Sequence, residues 1–219
     1  MASPLKLVVL ISGNGSNLGA IIKEIQQGSL DAEIVEVLSN RSGVYGLTRA
    51  KEANIPASVI DHNDYASRED FDQALINKID QHNPDLIVLA GFMRILTDAF
   101  VEHYMGKLIN IHPSLLPKYQ GLNTHQRVLD AGDSEHGATV HYVIPELDSG
   151  PVILQARLPV QERDDANSLK ERIHRLEHQL YPEAIRRIAS GQVTFSKGVV
   201  YYDNAEINHE QQQFKVDIN

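Results

Sequence analysis

The stretch LKLVVLI at residues 5–11, followed by SGNGSN at residues 12–17, indicates the fold class. A nearly continuous apolar run with β-branched residues is typical of a strand that is buried on both faces of a sheet. The glycines of the second stretch allow a tight turn, and the spacing of apolar residues beyond it predicts a helix over residues 17–27. A buried strand that leads through a glycine turn into a helix is typical of an α/β domain.

The same alternation continues along the chain. Further strands are predicted at residues 32–38, 85–90, 107–112, 137–144 and 152–159. Further helices are predicted at residues 44–53, 68–81, 98–104, 124–131 and 169–190, with Pro182 as a candidate kink in the last. We expect a hairpin over residues 192–202 and a loosely held polar tail over residues 203–219. The pattern predicts one domain with a mainly parallel sheet and some antiparallel pairing after residue 137.

Composition and charge exclude several classes of protein. The 219 residues suit one large domain or two small ones, and the lack of cysteine excludes disulfides, thiolate metal sites and a cysteine nucleophile. A net charge of −9 disfavours nucleic acid as a partner, because nucleic acids bind basic surfaces. The apolar runs are far shorter than the roughly 20 residues that span a bilayer, and no signal peptide is visible. We therefore expect a soluble, cytoplasmic protein with no membrane partner.

The loop at residues 12–17 is a candidate phosphate site. Ligands of open parallel sheets bind beyond the carboxyl ends of the strands, and the N–H groups at the start of a helix favour an anion. Leu18 stands where the dinucleotide fingerprint needs its last glycine, and no Gly-Lys-Ser/Thr follows, so neither a dinucleotide site nor a P-loop is predicted. A plain turn between strand and helix is the alternative to a monophosphate site.

The loop GFMRIL at residues 91–96 follows another apolar strand. Apolar side chains in such a loop can line a pocket for a flat aromatic ligand. The alternative is a buried crossover whose apolar residues belong to the core.

Asn110 and His112 are candidates for acyl-transfer chemistry. Strand alternation places them on the same face at the carboxyl end of a strand. An amide can stabilise an oxyanion and an imidazole can act as general acid or base, although a structural histidine is the alternative. Asp148 lies in a Leu-Asp-Ser-Gly-Pro turn and is typical of a turn residue. If it lay beside His112, it would instead orient the imidazole and stabilise its protonated form.

A zinc site is an alternative at HRLEH, residues 174–178, which matches an inverted zinc-protease pattern. A solvated helix face also explains this short match. Glu177 is also a candidate ligand contact apart from the zinc pattern, since it interrupts an apolar stripe of Ile173, Leu180 and Ala184. Such a carboxylate serves either a salt bridge at the edge of the stripe or a polar ligand contact.

Four stretches taken together carry a more specific signal. They are VVLISGNGSN at 8–17, LAGFMRIL at 89–96, NIHPSLLPKY at 110–119 and LDSGPVILQ at 147–155. In this order they closely resemble the folate-dependent phosphoribosylglycinamide formyltransferase family, and the similarity extends to about residue 190. The resemblance implies a Rossmann-like α/β domain with a mostly parallel seven-stranded sheet flanked by helices. It also implies direct transfer of the formyl group of 10-formyltetrahydrofolate, a co-substrate, to the primary amine of glycinamide ribonucleotide in purine biosynthesis. No metal and no covalent enzyme intermediate are expected.

The resemblance also implies roles for individual residues. The catalytic residues would be Asn110, His112 and Asp148. The nucleotide substrate would contact Gly15, Ser16 and Asn17 through its phosphate and Glu177 through its ribose hydroxyls. The folate would contact Arg68, Met93, Arg94, Ile95, Leu96, Asn110, Val143, Ile144 and Leu147. Supporting residues would be Thr139, His141 and His125. Within a catalytic domain of residues 1–202, residues 1–105 would bind the nucleotide phosphate and residues 106–202 would bind folate and carry the catalytic residues.

The chain departs from the family pattern at three positions. Gln120 stands where the family commonly has proline, Asn123 where it has histidine, and Ser149 where it has glycine. The alternatives that share the Asn-x-His…Asp core are 10-formyltetrahydrofolate hydrolase, methionyl-tRNA formyltransferase and other one-carbon transferases. The hydrolase carries an added N-terminal domain, and methionyl-tRNA formyltransferase carries an added C-terminal domain. We expect no counterpart of either domain here. A catalytically silent regulator that binds nucleotide or folate is a further alternative. We expect a monomer or weak homodimer.

Overall fold

A seven-stranded sheet forms the centre of the computed structural model, which describes residues 3–216. Its strands are β1 (Leu5–Ile11), β2 (Ala32–Ser39), β3 (Ala57–Val59), β4 (Leu86–Leu89), β5 (Leu108–His112), β6 (Glu135–Tyr142) and β7 (Val152–Pro159). The strand order is β3-β2-β1-β4-β5-β6-β7. The pairs β3–β2, β2–β1, β1–β4 and β4–β5 are parallel, and β6–β7 is antiparallel. The expected mostly parallel α/β fold is therefore confirmed.

Helices connect and flank these strands. They are α1 (Ser16–Gln26), α2 (Tyr45–Glu52), α3 (Arg68–Asp80), α4 (Asp98–His103), α5 (Thr124–Ala131) and α6 (Ala166–Ala189). A second, three-stranded sheet follows α6 and consists of β8 (Val193–Ser196), β9 (Val199–Tyr202) and β10 (Ala205–Glu206). Across residues 3–216, none of the helices combines the length and the apolar character that a membrane crossing needs.

The chain divides into two compact units, which meet in sequence at Asn110 and Ile111. In the first unit, β1 is fully buried from Leu7 to Ile11, as its continuous apolar run predicts. In the second unit, α6 packs on β6 and β7. Its buried stripe contains Ile173, Glu177 and Leu180, as the sequence pattern predicts.

Several boundaries differ from the sequence-based expectation. β3 was not predicted, because its three residues are too short to display a period. β6 ends at Tyr142, two residues early, beside a register shift at Val140/His141. α6 begins three residues early because Asp165 accepts hydrogen bonds from the N–H groups of Asn167 and Ser168 in a capping box.

The expectation of a loosely held tail is wrong for most of its length. Ala205–Glu206 complete the three-stranded sheet, and Gln213 forms a parallel bridge with Gln155 of β7. The Nη1 of Arg187 donates to the carbonyl of Gln211 over 3.1 Å. The tail docks because β7 is an edge strand whose backbone groups need partners. Residues 217–219 of the predicted tail lie outside the described residues.

Candidate active site

The loop between β1 and α1 has the features of an anion site. Gly15 is the N-cap residue of α1, with φ of 68°, and no described side chain caps this helix end. Ser16 and Asn17 form the first turn, where backbone N–H groups and the helix dipole favour a phosphate. The phosphate site predicted from the sequence therefore falls at a helix N-terminus.

Helix α2 holds this loop in shape. The Nε of Arg49 donates to the carbonyl of Asn14 over 3.0 Å, and its Nη2 donates to Asn14 Oδ1 over 3.1 Å. The N–H of Gly46 donates to the carbonyl of Gly13 over 3.1 Å. Neither Gly46 nor Arg49 was predicted from the sequence as part of this site. A glycine in the first turn of a helix was the available signal, because it marks a close approach of two backbones.

Replacing Gly15 with alanine is expected to lower the free energy of unfolding by about 1–3 kcal/mol. A Cβ at Gly15 would lie 2.8 Å from the Cα of Gly46, and an alanine would be strained at φ of 68°. Gly28→Ala has the strain without the contact, and Gly13→Ala has neither. In urea denaturation, the loss of unfolding free energy should be largest for Gly15→Ala, smaller for Gly28→Ala and smallest for Gly13→Ala. Equal losses at all three positions would contradict the argument from the contact.

The loop after β4 lies beside the loop after β1. The N–H of Met93 donates to Ser12 Oγ over 2.7 Å. Met93 is 68% exposed and Ile95 is 63% exposed, so the alternative of a buried crossover is wrong for these two residues. Arg94 and Leu96 are half-buried. Exposed apolar side chains on an anchored loop suit the binding of a flat ligand.

Arg68 is exposed in the first turn of α3. Burial raises the pKa of Asp72, and the charge of Arg68 partly opposes that rise. Asp72 Oδ2 accepts the N–H of Thr97 over 2.6 Å. The role of Arg68 toward folate remains a prediction.

The end of β5 brings His112 against Asp148. His112 Nδ1 lies 3.4 Å from Asp148 Oδ2, and both side chains are buried. Asp148 adopts φ of 50°, and its Oδ2 also accepts the N–H of Gly121 over 2.9 Å. The sequence could not decide whether these two residues meet, and the structure places them together. Asn110 lies two residues before His112 on the same strand and is half-buried.

Both ring nitrogens of His112 face oxygen acceptors. Nε2 lies 2.9 Å from the carbonyl of Tyr119, which can only accept a hydrogen bond. Nδ1 faces the Asp148 carboxylate. An imidazolium ring can donate to both acceptors. To act as general acid, His112 must exchange the Tyr119 carbonyl for the substrate or a bridging water at Nε2.

His141 and Thr139 lie behind this pair on β6. His141 Nε2 lies 4.0 Å from Asp148 Oδ1, and its Nδ1 donates to the carbonyl of Tyr142 over 2.9 Å. Burial lowers the pKa of His141, which favours a neutral ring. Thr139 Oγ1 donates to the carbonyl of Ser114 over 2.7 Å and accepts the N–H of Leu116 over 3.1 Å. Both positions suit the supporting roles that the sequence resemblance implies.

His125 pairs with a histidine that the sequence analysis did not single out. Its Nδ1 lies 3.0 Å from Nε2 of His136. The pKa of each ring is lowered to about 4, mainly by burial, and the charges of His174 and Lys170 contribute to the lowering at His125. Asp133 partly opposes the shift at His136. No signal in the sequence marks this pair, because α5 and β6 bring it together.

The pair makes stability depend on pH. Between pH 6.5 and about 4, the unfolded chain binds more protons at these two rings than the folded chain does. The free energy of unfolding should therefore fall as the pH falls through this range, by at least about 1.4 kcal/mol, the value of one pKa unit. His136→Gln should flatten the dependence in urea denaturation at a series of pH values. His209→Gln, at an exposed position, should leave it unchanged, and an equal flattening by both variants would contradict the assignment.

The remaining predicted residues lie in or near the second unit's core. Glu177 is 4% exposed on α6. Val143 and Ile144 follow β6 and are half-buried, and Leu147 is 55% exposed. In the part of the chain that the structure describes, no group of three or more His, Asp or Glu side chains is arranged to hold a metal ion.

Comparison with known proteins places the chain in a family. The formyl transferase family model matches residues 5–185. Phosphoribosylglycinamide formyltransferase of Escherichia coli is 46% identical over 93% of this chain and 96% of its own length. A trifunctional purine biosynthetic protein of Chironomus tentans is 52% identical over 88% of this chain, which matches 14% of that protein. The structure of phosphoribosylglycinamide formyltransferase from Coxiella burnetii has a TM-score of 0.92 and 53% identity, with 96% of this chain and 99% of that chain covered. The chain therefore belongs to the formyl transferase family.

Proposed function

We propose that this protein transfers the formyl group of 10-formyltetrahydrofolate to the primary amine of glycinamide ribonucleotide, a step of purine biosynthesis. The observation that carries the proposal is the buried His112–Asp148 pair at the end of β5, two residues after Asn110. The names of the relatives from Escherichia coli and Coxiella burnetii support this choice of substrates. The products are formylglycinamide ribonucleotide and tetrahydrofolate.

The three catalytic residues divide the chemistry. The neutral amine of the nucleotide attacks the formyl carbon, and negative charge develops on the formyl oxygen. Asn110 donates a hydrogen bond to that oxygen, and removal of one such donor typically lowers turnover by about 10²–10³-fold. His112 supplies the proton with which the folate nitrogen leaves, directly or through water. Asp148 orients His112 and stabilises its protonated form, as the 3.4 Å separation supports.

The other assignments extend the family resemblance, and the uncapped start of α1 supports the first of them. Gly15, Ser16 and Asn17 bind the phosphate of the nucleotide at the start of α1, and Glu177 accepts hydrogen bonds from the ribose hydroxyls. The folate contacts Arg68, the loop residues Met93, Arg94, Ile95 and Leu96, and Val143, Ile144 and Leu147. The reaction needs no metal, because two aligned substrates and a proton donor suffice for acyl transfer. Residues 1–202 form the catalytic domain. Its first half binds the nucleotide phosphate and supplies Arg68 and the loop 93–96 to the folate, and its second half supplies the other folate contacts and the catalytic residues.

The test is turnover of a 10-formylfolate donor followed by absorbance, with and without glycinamide ribonucleotide, in the presence of EDTA. We expect deformylation that requires the nucleotide and is unchanged by EDTA. Deformylation without the nucleotide would instead identify a hydrolase. Binding of both ligands without turnover would identify a silent regulator, and inhibition by EDTA would contradict the metal-free mechanism.

We also propose a cytoplasmic protein that is a monomer or a weak homodimer. Sedimentation equilibrium over a range of protein concentrations tests the second statement. A tight dimer or a larger assembly at micromolar concentration would overturn it.

A further inference from the structure

Several hydrogen bonds hold the backbone of the loop after His112. The carbonyl of His112 accepts the N–H of Ser114 over 2.8 Å, and Ser114 Oγ donates to the carbonyl of Lys118 over 2.6 Å. Thr139 Oγ1 bonds to both the carbonyl of Ser114 and the N–H of Leu116. This loop must keep one shape, since it leads from His112 to the Tyr119 carbonyl that contacts His112 Nε2.

Gln155 of β7 completes this network. Its Nε2 donates to the carbonyl of Leu116 over 2.8 Å and to Thr139 Oγ1 over 2.9 Å. The side chain is 6% exposed, and Gln155 lies directly opposite Thr139 in the β6–β7 register. A buried amide with both hydrogens engaged favours one arrangement of the loop, because a displaced loop would remove the Leu116 carbonyl and leave one amide hydrogen without an acceptor.

The backbone of Gln155 is held by the C-terminal tail. Its N–H donates to the carbonyl of Gln212 over 2.6 Å, and its carbonyl accepts the N–H of Phe214 over 2.7 Å. Gln212 Nε2 also donates to the carbonyl of Val152 over 3.2 Å. The tail therefore pairs with the free edge of β7 at the same residue whose side chain holds the loop.

The tail also reaches the turn that carries Asp148. Ile207 and Gln212 line a cavity together with Asp148, Leu116 and Pro117. This segment lies beyond residue 185, where the match to the formyl transferase model ends. Hydrogen bonds to the support of the loop after His112, and part of the wall of a cavity that Asp148 also lines, thus come from a part of the chain outside the matched domain.

We propose that Gln155 is a positioning residue for formyl transfer and that residues 207–214 of the tail act through it to align the loop after His112. The proposal rests on the function proposed above. Gln155 touches no reacting atom in this role. It sets the loop position on which the distance between His112 and its substrates depends, and a displacement of about 1 Å can lower turnover by about 10²-fold.

Gln155→Met tests the side chain, because it keeps the length and removes both donors. We expect kcat to fall by about 10²-fold with KM for the nucleotide changed less than threefold. Thr139→Val should act through the same network, so the double variant should lose little more than the worse single variant. Thr139→Ser keeps the hydroxyl and should restore most of the turnover that Thr139→Val loses. Unchanged kcat in Gln155→Met, or strictly additive losses, would overturn the proposal.

Phe214→Pro tests the tail in the full-length chain, because proline lacks the N–H that bonds to Gln155. Phe214→Ala keeps that N–H and is the matched variant. We expect kcat of Phe214→Pro to be several-fold below that of Phe214→Ala, with circular dichroism spectra of the two variants alike. Equal kcat values would show that the tail does not act on the loop.

Hydrogen exchange separates this proposal from the proposed function. The amide of Leu116, which donates to Thr139, should exchange faster in Gln155→Met and in Phe214→Pro than in the unmodified protein. If the unmodified protein had no transferase turnover, the proposed function would fail, while faster exchange would still support the alignment of the loop. Unchanged exchange in an active protein would refute the positioning role alone.

Discussion

Replacing His112 with glutamine is expected to lower kcat for formyl transfer by about 10²–10⁴-fold. Glutamine can still donate a hydrogen bond toward the Tyr119 carbonyl, which lies 2.9 Å from Nε2 of the histidine. It cannot deliver a proton at neutral pH, so the folate nitrogen would leave without general-acid assistance. The measurement is single-turnover deformylation in the presence of saturating nucleotide, which isolates the chemical step from product release.

The control for this variant is ligand binding. Titration of a folate analogue and of the nucleotide should give dissociation constants close to those of the unmodified protein, since His112 acts mainly after both have bound. A loss of turnover with intact binding supports the general-acid role. A kcat within a few-fold of the original value would mean that water or another group supplies the proton, and it would contradict the assignment.

Replacing Asp148 with asparagine is expected to lower kcat by about 10²-fold, as loss of one charged partner of a catalytic histidine removes much of its general-acid assistance. The variant removes the negative charge 3.4 Å from His112 Nδ1 and keeps a side chain of the same shape. Asparagine also tolerates the left-handed backbone at φ of 50°, whereas alanine would add strain there. The measurement is kcat as a function of pH for Asp148→Asn and the unmodified protein.

Ser149→Gly is the matched control for Asp148→Asn. Ser149 follows Asp148, and its Oγ accepts a hydrogen bond from Gln120 over 2.8 Å without contributing charge. We expect this variant to change kcat by less than about threefold, the size of effect expected when a partly exposed neutral hydrogen bond is lost. If Asp148→Asn and Ser149→Gly had similar effects, the Asp148 charge would not be what supports His112.

The periodic elements of the fold could be predicted from the sequence. A buried strand such as β1 displays its apolar run within seven residues, and α6 displays its stripe through Ile173, Glu177 and Leu180. These patterns are local, so no knowledge of distant contacts is needed to read them. β3 and the docking of the tail escaped prediction for the opposite reason. A three-residue strand is too short to show a period. A polar segment such as the tail docks only where an edge strand, here β7, has free backbone N–H and C=O groups for it to pair with.

The residues of the candidate site also fall into those that local sequence predicts and those that only the tertiary structure brings together. Asn110 and His112 could be assigned to one strand end because a single residue separates them, and the sequence by itself determined this. The sequence also placed a glycine turn and a helix start at residues 12–17, where backbone N–H groups suit an anion.

Only the tertiary structure decided which distant residues meet. The contact of His112 with Asp148, the pairing of His125 with His136, and the link from the tail through Gln155 to the loop after His112 all join separate elements. Each depends on strand register and on how loops close, and a shift of one residue in a strand would turn its side chains to the other face. Local sequence patterns carry the period of an element, whereas the register between elements is set by packing of the whole chain.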